Sequence, residues 1–372
     1  MINDFIMDPD LKQITAKFQI NGTVQSVVPY GSGHINDTYK VTLKHQTKTE
    51  LILQRINHFV FKEPDKLMQN VKRVTEHIKK KIEAAGTNDQ TRYLYFIDTR
   101  DGRPCYKDCN NNYWRLCNFI SNTVSYDLVT DSRVASAGGK LFGNFQNMLT
   151  DLKGATLHET IPDFHNVAHR LQQFRTAVSN DPLKRCSEIK AEIDFVEKRS
   201  AEMMQIIELG QKRLLPVRIT HNDAKFNNIL FDAETGKALC IIDLDTVMPG
   251  YILYDFGDAI RTAANTGAED DTDLGRVGIN MKLFKAFTSG YLSTARQFIT
   301  KTELNYLAFA AKLFAYIIGL RFLTDYINGD KYFKTAHRGH NLQRTRAQFK
   351  LLSSMEANFN EMNAIVQTVY SS

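Results

Sequence analysis

Cysteine is scarce and unpatterned in this chain, with five residues among 372, at positions 105, 109, 117, 186 and 240. The number is odd, no disulfide-framework spacing is present, and Cys105 and Cys109 have no second pair to complete a zinc site. The thiols therefore read as reduced structural residues. No run reaches the ~18 uninterrupted apolar residues of a membrane-crossing helix. The opening "MINDFIMDPDLKQITAKFQI" has neither a basic n-region nor a long apolar segment, so no secretory leader is expected. These absences point to a cytoplasmic protein with no membrane partner. The pattern G-x-x-x-x-G-K-[ST] occurs nowhere, which removes the P-loop kinases. Internal repeats and low-complexity tracts are missing too. The formal net charge of +6 could suit nucleic acid, but the basic residues are scattered and no basic stripe interleaves with aromatics. The densest run, "HIKKKIEAAG", reads as the solvated face of a helix, and a phosphate-bearing small substrate accounts for the charge equally well.

What the chain does contain is enough apolar sequence, 43%, for one large or two ordinary domains. Residues 24–56 alternate apolar and polar positions around two turns ("VQSVVPY", "TYKVTLKH", "TELILQRI"), which predicts three antiparallel strands. Pro64 and Asp65 open a helix that runs to about Ala85, with Leu67, Val71, Val74 and Ile78 on one face and Gly86 as its stop. Further strands are expected near 93–97 and 113–120. After Asp131 the pattern turns to long helices, at 131–151, 165–179, 188–209, 277–296, 302–327 and 341–369, with short strands at 217–220, 228–231 and 239–243. A strand-rich first part and a helical second part, divided near 118–124, predict an α+β bilobal protein.

The strongest motif is "THNDAKFNNILFD", in which His221, Asp223 and Asn228 fit H-x-D-x-x-x-x-N. Kinase catalytic loops use this spacing because a carboxylate must accept the nucleophile's proton while an amide oxygen five residues on faces magnesium. The strand "ALCIIDLD" follows, with Asp243 at the end of its apolar run. A carboxylate there is costly to desolvate unless a cation or several donors compensate, so Asp243 is the expected metal ligand. Period-two alternation would put Asp245 on the same face, as a second ligand or an outer acceptor. The letters D-F-G at 255–257 lie too far from Asn228 to be the metal site. Asp255 reads instead as a structural carboxylate that caps a helix and braces the catalytic loop through backbone N–H groups. A second signal, "PYGSGHINDTYKV", is a Gly-x-Gly turn on the first hairpin, where Gly31, Ser32 and Gly33 would let backbone N–H groups approach phosphates. A third is Arg321, near the end of the very apolar "AFAAKLFAYIIGLRFLTDYI". It either pairs with Asp325 at i,i+4 or aims a guanidinium fork at a polyol or phosphate.

With these residues in view, the chain resembles the aminoglycoside phosphotransferase and choline kinase group, and within it the bacterial N-acetylhexosamine 1-kinases. The likeness runs through "YGSGHINDTY", "ILQRIN", "TVSYDLV", "FGNFQN", "THNDAKFNNIL", "IIDLDTVMPG", "YDFGDAIR" and "RFLTDYINGDKYF". It implies a protein-kinase-like fold, with a nucleotide-binding lobe over 1–120 and a catalytic, sugar-binding lobe over 121–372. It also implies ATP and Mg2+ as cofactors and a small sugar as the partner, phosphorylated at its anomeric hydroxyl. Asp223 would then be the general base, Asn228 and Asp243 the magnesium ligands, and His34, Thr246, Arg321 and Tyr332 the sugar contacts. Trp114 to Ile120 would form the hinge, with Asn118 and Ile120 beside adenine. Gln54 stands on the nucleotide side where kinases usually carry the phosphate-binding lysine, so the usual lysine–glutamate pair is not expected and Glu76 is not assigned to it. A kinase of another small alcohol would keep these catalytic residues and alter only the acceptor pocket, whereas a pseudokinase would be expected to lose Asp223, Asn228 or Asp243.

Overall fold

The structure, a computed structural model, describes residues 9–31, 35–44, 49–87 and 89–372. The chain forms two compact units. The first comprises Met1–Thr123, Leu152–Ile161 and Leu244–Met248, and the second Val124–Asp151, Pro162–Asp243 and Pro249–Ser372. A single break near residue 120 does not provide for the two short later segments that join the first unit.

The first unit is built on a sheet of β1 (Thr23–Pro29), β2 (Asp37–Lys44), β3 (Thr49–Ile56), β4 (Phe96–Ile97), β5 (Tyr106–Lys107) and β6 (Tyr113–Asn118). Its order is β1-β2-β3-β6-β4, with β5 also on β6. The three alternating stretches form β1 to β3 as expected, and alternation does the physical work. Val41, Leu43, Leu51, Leu53, Trp114 and Leu116 are buried together with Leu11, Ile14 and Phe18, since period-two residues share one face of a pleated strand. The register aligns Gln54 with Thr38 on one side and with Arg115 on the other. The helix Pro64–Ala84 starts with proline in its first turn and buries Leu67, Val71, Val74 and Ile78. Gly86, at φ +79°, ends it in the left-handed conformation that glycine adopts without strain. Asn70, on this helix, explains how the later segments are held. Its amide nitrogen donates to the carbonyls of His158 (2.7 Å) and Val247 (3.1 Å), and its oxygen accepts from the His158 N–H at 2.9 Å.

The second unit is mainly helical. Three of the long helices expected from periodicity are each divided in two, into Lys190–Met203 and Gln205–Gln211, Lys301–Asn305 and Leu307–Ile327, and His340–Ala357 and Phe359–Ser371. The backbone leaves helical ψ at Tyr306 (φ −104°, ψ 4°) and Asn358 (φ −106°, ψ 11°), a local turn that a continuous apolar pattern does not register. Leu307–Ile327 is long and apolar enough to cross a membrane, but 89% of its most apolar window is buried inside the protein. It is the core helix of this unit. The helix Ile252–Ala263 lies directly on it, and Gly257 is what permits the approach, since a Cβ at that position would stand 2.3 Å from the Ala310 carbonyl oxygen. The glycine of D-F-G is therefore a packing residue.

Candidate active site

The catalytic-loop motif lies wholly in the second unit. A short strand, Arg218–Thr220, leads into the loop, a 3₁₀ turn at Phe226–Asn228 follows, and the hairpin Ile229–Asp232 with Ala238–Ile241 returns the chain. Every polar group of His221 has a use. Its Nδ1 accepts the Asp223 N–H at 3.2 Å, and its Nε2 donates to the Ile242 carbonyl at 2.9 Å. The buried imidazole thus ties the loop to the segment that carries Asp243. A second tie is the Ile242 N–H, which donates to the Asn228 carbonyl at 2.9 Å. Asn228 is buried, and its amide nitrogen donates to the Asp223 carbonyl (2.8 Å) and carboxylate (3.2 Å). No hydrogen bond to its Oδ1 is found among the described residues.

Asp223 keeps 27% of its side chain exposed, with the Lys225 ammonium 3.5 Å away. Burial pushes the Asp223 carboxyl up. The positive charges of Lys225 and Arg261 and the Asn228 hydrogen bond outweigh that, so the group lies below its ordinary value and is a carboxylate at neutral pH. The Lys225 ammonium is correspondingly raised, chiefly by Asp223. The Asp223 carboxylate is accessible, ionised and aimed by its neighbours.

Asp255 lies at the far side of the loop, fully buried. Its carboxylate accepts from the backbone N–H of His221 (2.9 Å) and of Asn222 (2.7 Å) and from the Gln146 amide (2.8 Å). Gln146 is itself fixed by the Tyr291 hydroxyl at 2.6 Å. Burial raises the Asp255 pKa against these donors. The carboxylate braces the loop, as expected, but it caps no helix. It sits within the first turn of Ile252–Ala263, whose N-cap position is Tyr251.

Asp243 lies beyond the strand's end, at φ +60°, and Leu244–Thr246 then forms a 3₁₀ turn. Period-two alternation therefore does not apply, and Asp245 turns into the first unit, where it is buried. It forms an ion pair with Arg115 and accepts from the Asn36 amide at 2.7 Å. Arg115 also donates to Gln54 Oε1 at 2.9 Å, and Gln54 Nε2 donates to the Thr38 hydroxyl at 3.1 Å. Both ends of the Gln54 amide are thus engaged, and the cation beside it is Arg115, from the neighbouring strand.

The remaining candidates divide between the units. Gly31 has φ +75°, while Ser32, Gly33 and His34 lie outside the described residues. Asn118 uses its side chain to hold the Tyr95 N–H (2.9 Å) and the Tyr93 carbonyl (3.2 Å), and its own N–H donates to the Tyr95 carbonyl at 3.2 Å. The Ile120 carbonyl accepts from Thr123 at 3.1 Å. Thr246 is buried beside Asp245. In the second unit Arg321 and Tyr332 come together, the guanidinium standing over the rings of Phe164 (5.0 Å), Phe333 (5.4 Å) and Tyr332 (5.7 Å). Arg321 does not pair with Asp325. That carboxylate is occupied by the backbone N–H groups of Lys331, Tyr332 and Phe333 (2.8–3.0 Å) and by the Asn341 amide at 2.9 Å. A cavity of about 600 Å³ is lined by Arg321, Arg170, Gln173, Thr176, Tyr332 and Phe333, among others. Arg170 is held down to about 10 by burial and by the charge of Arg321.

Among the described residues no group of three or more His, Cys, Asp or Glu could hold a metal. Magnesium keeps several waters and takes only one or two protein oxygens together with phosphates, and Asn228 and Asp243 are the candidates for that role. Arg115, Lys225 and His165 were not singled out by sequence reasoning. Lys225 follows Asp223 by two residues, a proximity visible in the sequence. Arg115 is found only through strand register, and His165 had no signal.

The chain belongs to the phosphotransferase enzyme family (APH), whose model matches residues 26–283. It is a phosphotransferase acting on hydroxyl acceptors, with the protein-kinase-like α+β fold of that family. Solved structures share the fold at low identity. An aminoglycoside phosphotransferase from Alicyclobacillus acidocaldarius is 13% identical, with 96% of each chain covered and a TM-score of 0.62. An amicoumacin kinase in complex with AMP-PNP, Ca2+ and Ami is 11% identical, covering 92% of this chain and 93% of that one, at 0.60. A choline kinase from Cryptosporidium parvum is 14% identical, covering 98% and 99%, at 0.58.

Proposed function

We propose that this phosphotransferase uses ATP and magnesium to phosphorylate the anomeric hydroxyl of an N-acetylhexosamine, GlcNAc or GalNAc. The observation that supports this acceptor is the cavity of the second unit. Its two guanidiniums, Arg170 and Arg321, have no carboxylate ion pair among the described residues, and Asp325 beside them is already occupied. Like charges so placed repel cationic alcohols such as choline or an aminoglycoside, and they donate readily to ring hydroxyls and an acetamido oxygen. Tyr332 and Phe333 add apolar faces suited to a sugar ring. Asp223 acts as general base toward O1. An anomeric hydroxyl is more acidic than an ordinary alcohol, so an ionised carboxylate of low pKa suffices. Asn228 and Asp243 would hold magnesium, which when bound neutralises charge on the phosphates. Gly31 and the residues after it, with His34 and Thr246, complete the assignment, and the hinge backbone at Asn118 and Ile120 receives adenine.

A panel of free sugars, choline and aminoglycosides with ATP and magnesium, read as ADP release, tests the acceptor. Release with the two amino sugars alone supports the reading, and release with choline alone replaces it. Arg321→Ala should raise KM for the amino sugar severalfold or more and leave KM for ATP nearly unchanged, since a charged hydrogen bond is worth roughly 1.5–3 kcal/mol. An unchanged KM with a lowered melting temperature would make Arg321 a packing residue.

The two aspartates that could be confused should separate cleanly. Asp243→Ala is expected to weaken magnesium-dependent nucleotide binding in a titration. Asp255→Ala is expected to leave that titration in place and lower the melting temperature, because each buried donor it abandons costs about 1–3 kcal/mol. The opposite pattern would exchange their roles.

A further inference from the structure

The turn ahead of the helix Val167–Asn180 places Phe164 and His165 against the active site from outside the motif. His165 is 5% exposed and surrounded by the rings of Phe164 (4.3 Å), Phe314 (4.8 Å) and Tyr254 (5.3 Å). Its Nε2 lies 2.7 Å from the Asn222 carbonyl oxygen, and its Nδ1 has no partner among the described residues. A carbonyl only accepts, so the ring proton sits on Nε2. Burial drives the pKa of this imidazole down to about 3, so the ring is neutral at the pH of catalysis. A residue needed only to fill this space would be apolar, since the imidazole leaves a buried nitrogen unpaired.

The bonded carbonyl belongs to the peptide group that joins Asn222 to Asp223. The other end of that same group, the Asp223 N–H, is accepted by His221 Nδ1 at 3.2 Å. Asn222 has φ +62°, a conformation costly for a non-glycine residue that persists only when its surroundings impose it. We propose that His165 is a positioning residue of the catalytic loop, clamping with His221 the two ends of the Asn222–Asp223 peptide and so setting the direction of the Asp223 carboxylate. The preceding residue extends the effect. The Phe164 ring lies under the Arg321 guanidinium, and its carbonyl accepts from Arg170 at 2.8 Å and 3.2 Å. One short turn thereby fixes both the cations of the acceptor cavity and the aim of the base. The inference rests on the assignment of Asp223 as base.

Two variants test it. His165→Phe keeps a ring and removes the donor, whereas His165→Gln keeps an amide N–H at a similar reach. His165→Phe is expected to lower kcat roughly tenfold or more, as small misplacements of reacting groups do, with KM for ATP unchanged. Hydrogen exchange should quicken in the peptide spanning residues 219–226. His165→Gln should recover most of both. Wild-type kcat and protection in His165→Phe would overturn the proposal, as would equal losses in both variants that merely track their melting temperatures. If the wild-type enzyme phosphorylates none of the offered sugars, the acceptor reading fails. The exchange comparison still decides the clamp, because it needs no turnover.

Discussion

Asp223→Asn is expected to lower kcat by ~10²–10⁴-fold, the usual contribution of a general base, while nucleotide affinity and melting temperature stay near wild type. The amide preserves shape and removes only the capacity to take a proton from the acceptor. The 3.5 Å contact to Lys225 is lost, but both side chains are about a third exposed, and such pairs add little to stability. Rates of ADP release and calorimetric nucleotide titration check both parts, and a residual rate above about a tenth of wild type contradicts the base assignment. The pH profile follows from the sign of the shift. The Asp223 pKa is lowered, so the carboxylate form persists from neutrality down through the ordinary carboxylate range. The acid limb of kcat/KM should accordingly fall at or below that range, and a limb near neutrality would report another group.

The second large effect concerns stability. Arg115→Met should destabilise the protein by about 3–5 kcal/mol, because it leaves Asp245 charged and buried without its partner. Each side chain of the pair is only 3% exposed. Replacing both, with Arg115→Met and Asp245→Leu, should recover much of that loss, since well-packed apolar pairs often match a buried ion pair. Urea unfolding of the two single variants and the double variant gives the coupling directly. If Arg115→Met alone costs less than about 1 kcal/mol, the ion pair does not hold the first unit together. Lysine is no substitute for Arg115, as a single ammonium cannot reproduce a fork that meets both Gln54 and Asp245.

The readable parts of this protein were those governed by local physics. The first three strands follow from alternation, the helix Pro64–Ala84 from its proline start and glycine stop, and the catalytic loop from motif spacing. That spacing also separates Asp255 from the candidate metal ligands, and the structure shows Asp255 holding two loop N–H groups. Local patterns fell short where a distant demand outweighed them. Asp325 stands four residues after Arg321, the right spacing for a helical pair, yet it satisfies three N–H groups of the turn that follows its helix. Asp245 lies two residues from Asp243, yet the strand has already ended and Asp243 has turned to positive φ. The partner of Gln54 is 61 positions away and is set by the register of β3 on β6, which no window of sequence contains.

The pairing of Arg115 with Asp245 also bears on how the chain can be cut. A fragment ending at Thr123 looks like a natural piece, since it contains the whole sheet of the first unit. It would nevertheless carry a buried guanidinium whose counter-charge lies 130 residues further on, and an Asn70 amide deprived of the His158 and Val247 carbonyls. Such a fragment should remain unfolded or aggregate when expressed by itself. The enzyme is therefore a poor candidate for dissection or domain exchange at that boundary, because closing the first unit requires chain that comes only after the catalytic-loop motif in the sequence.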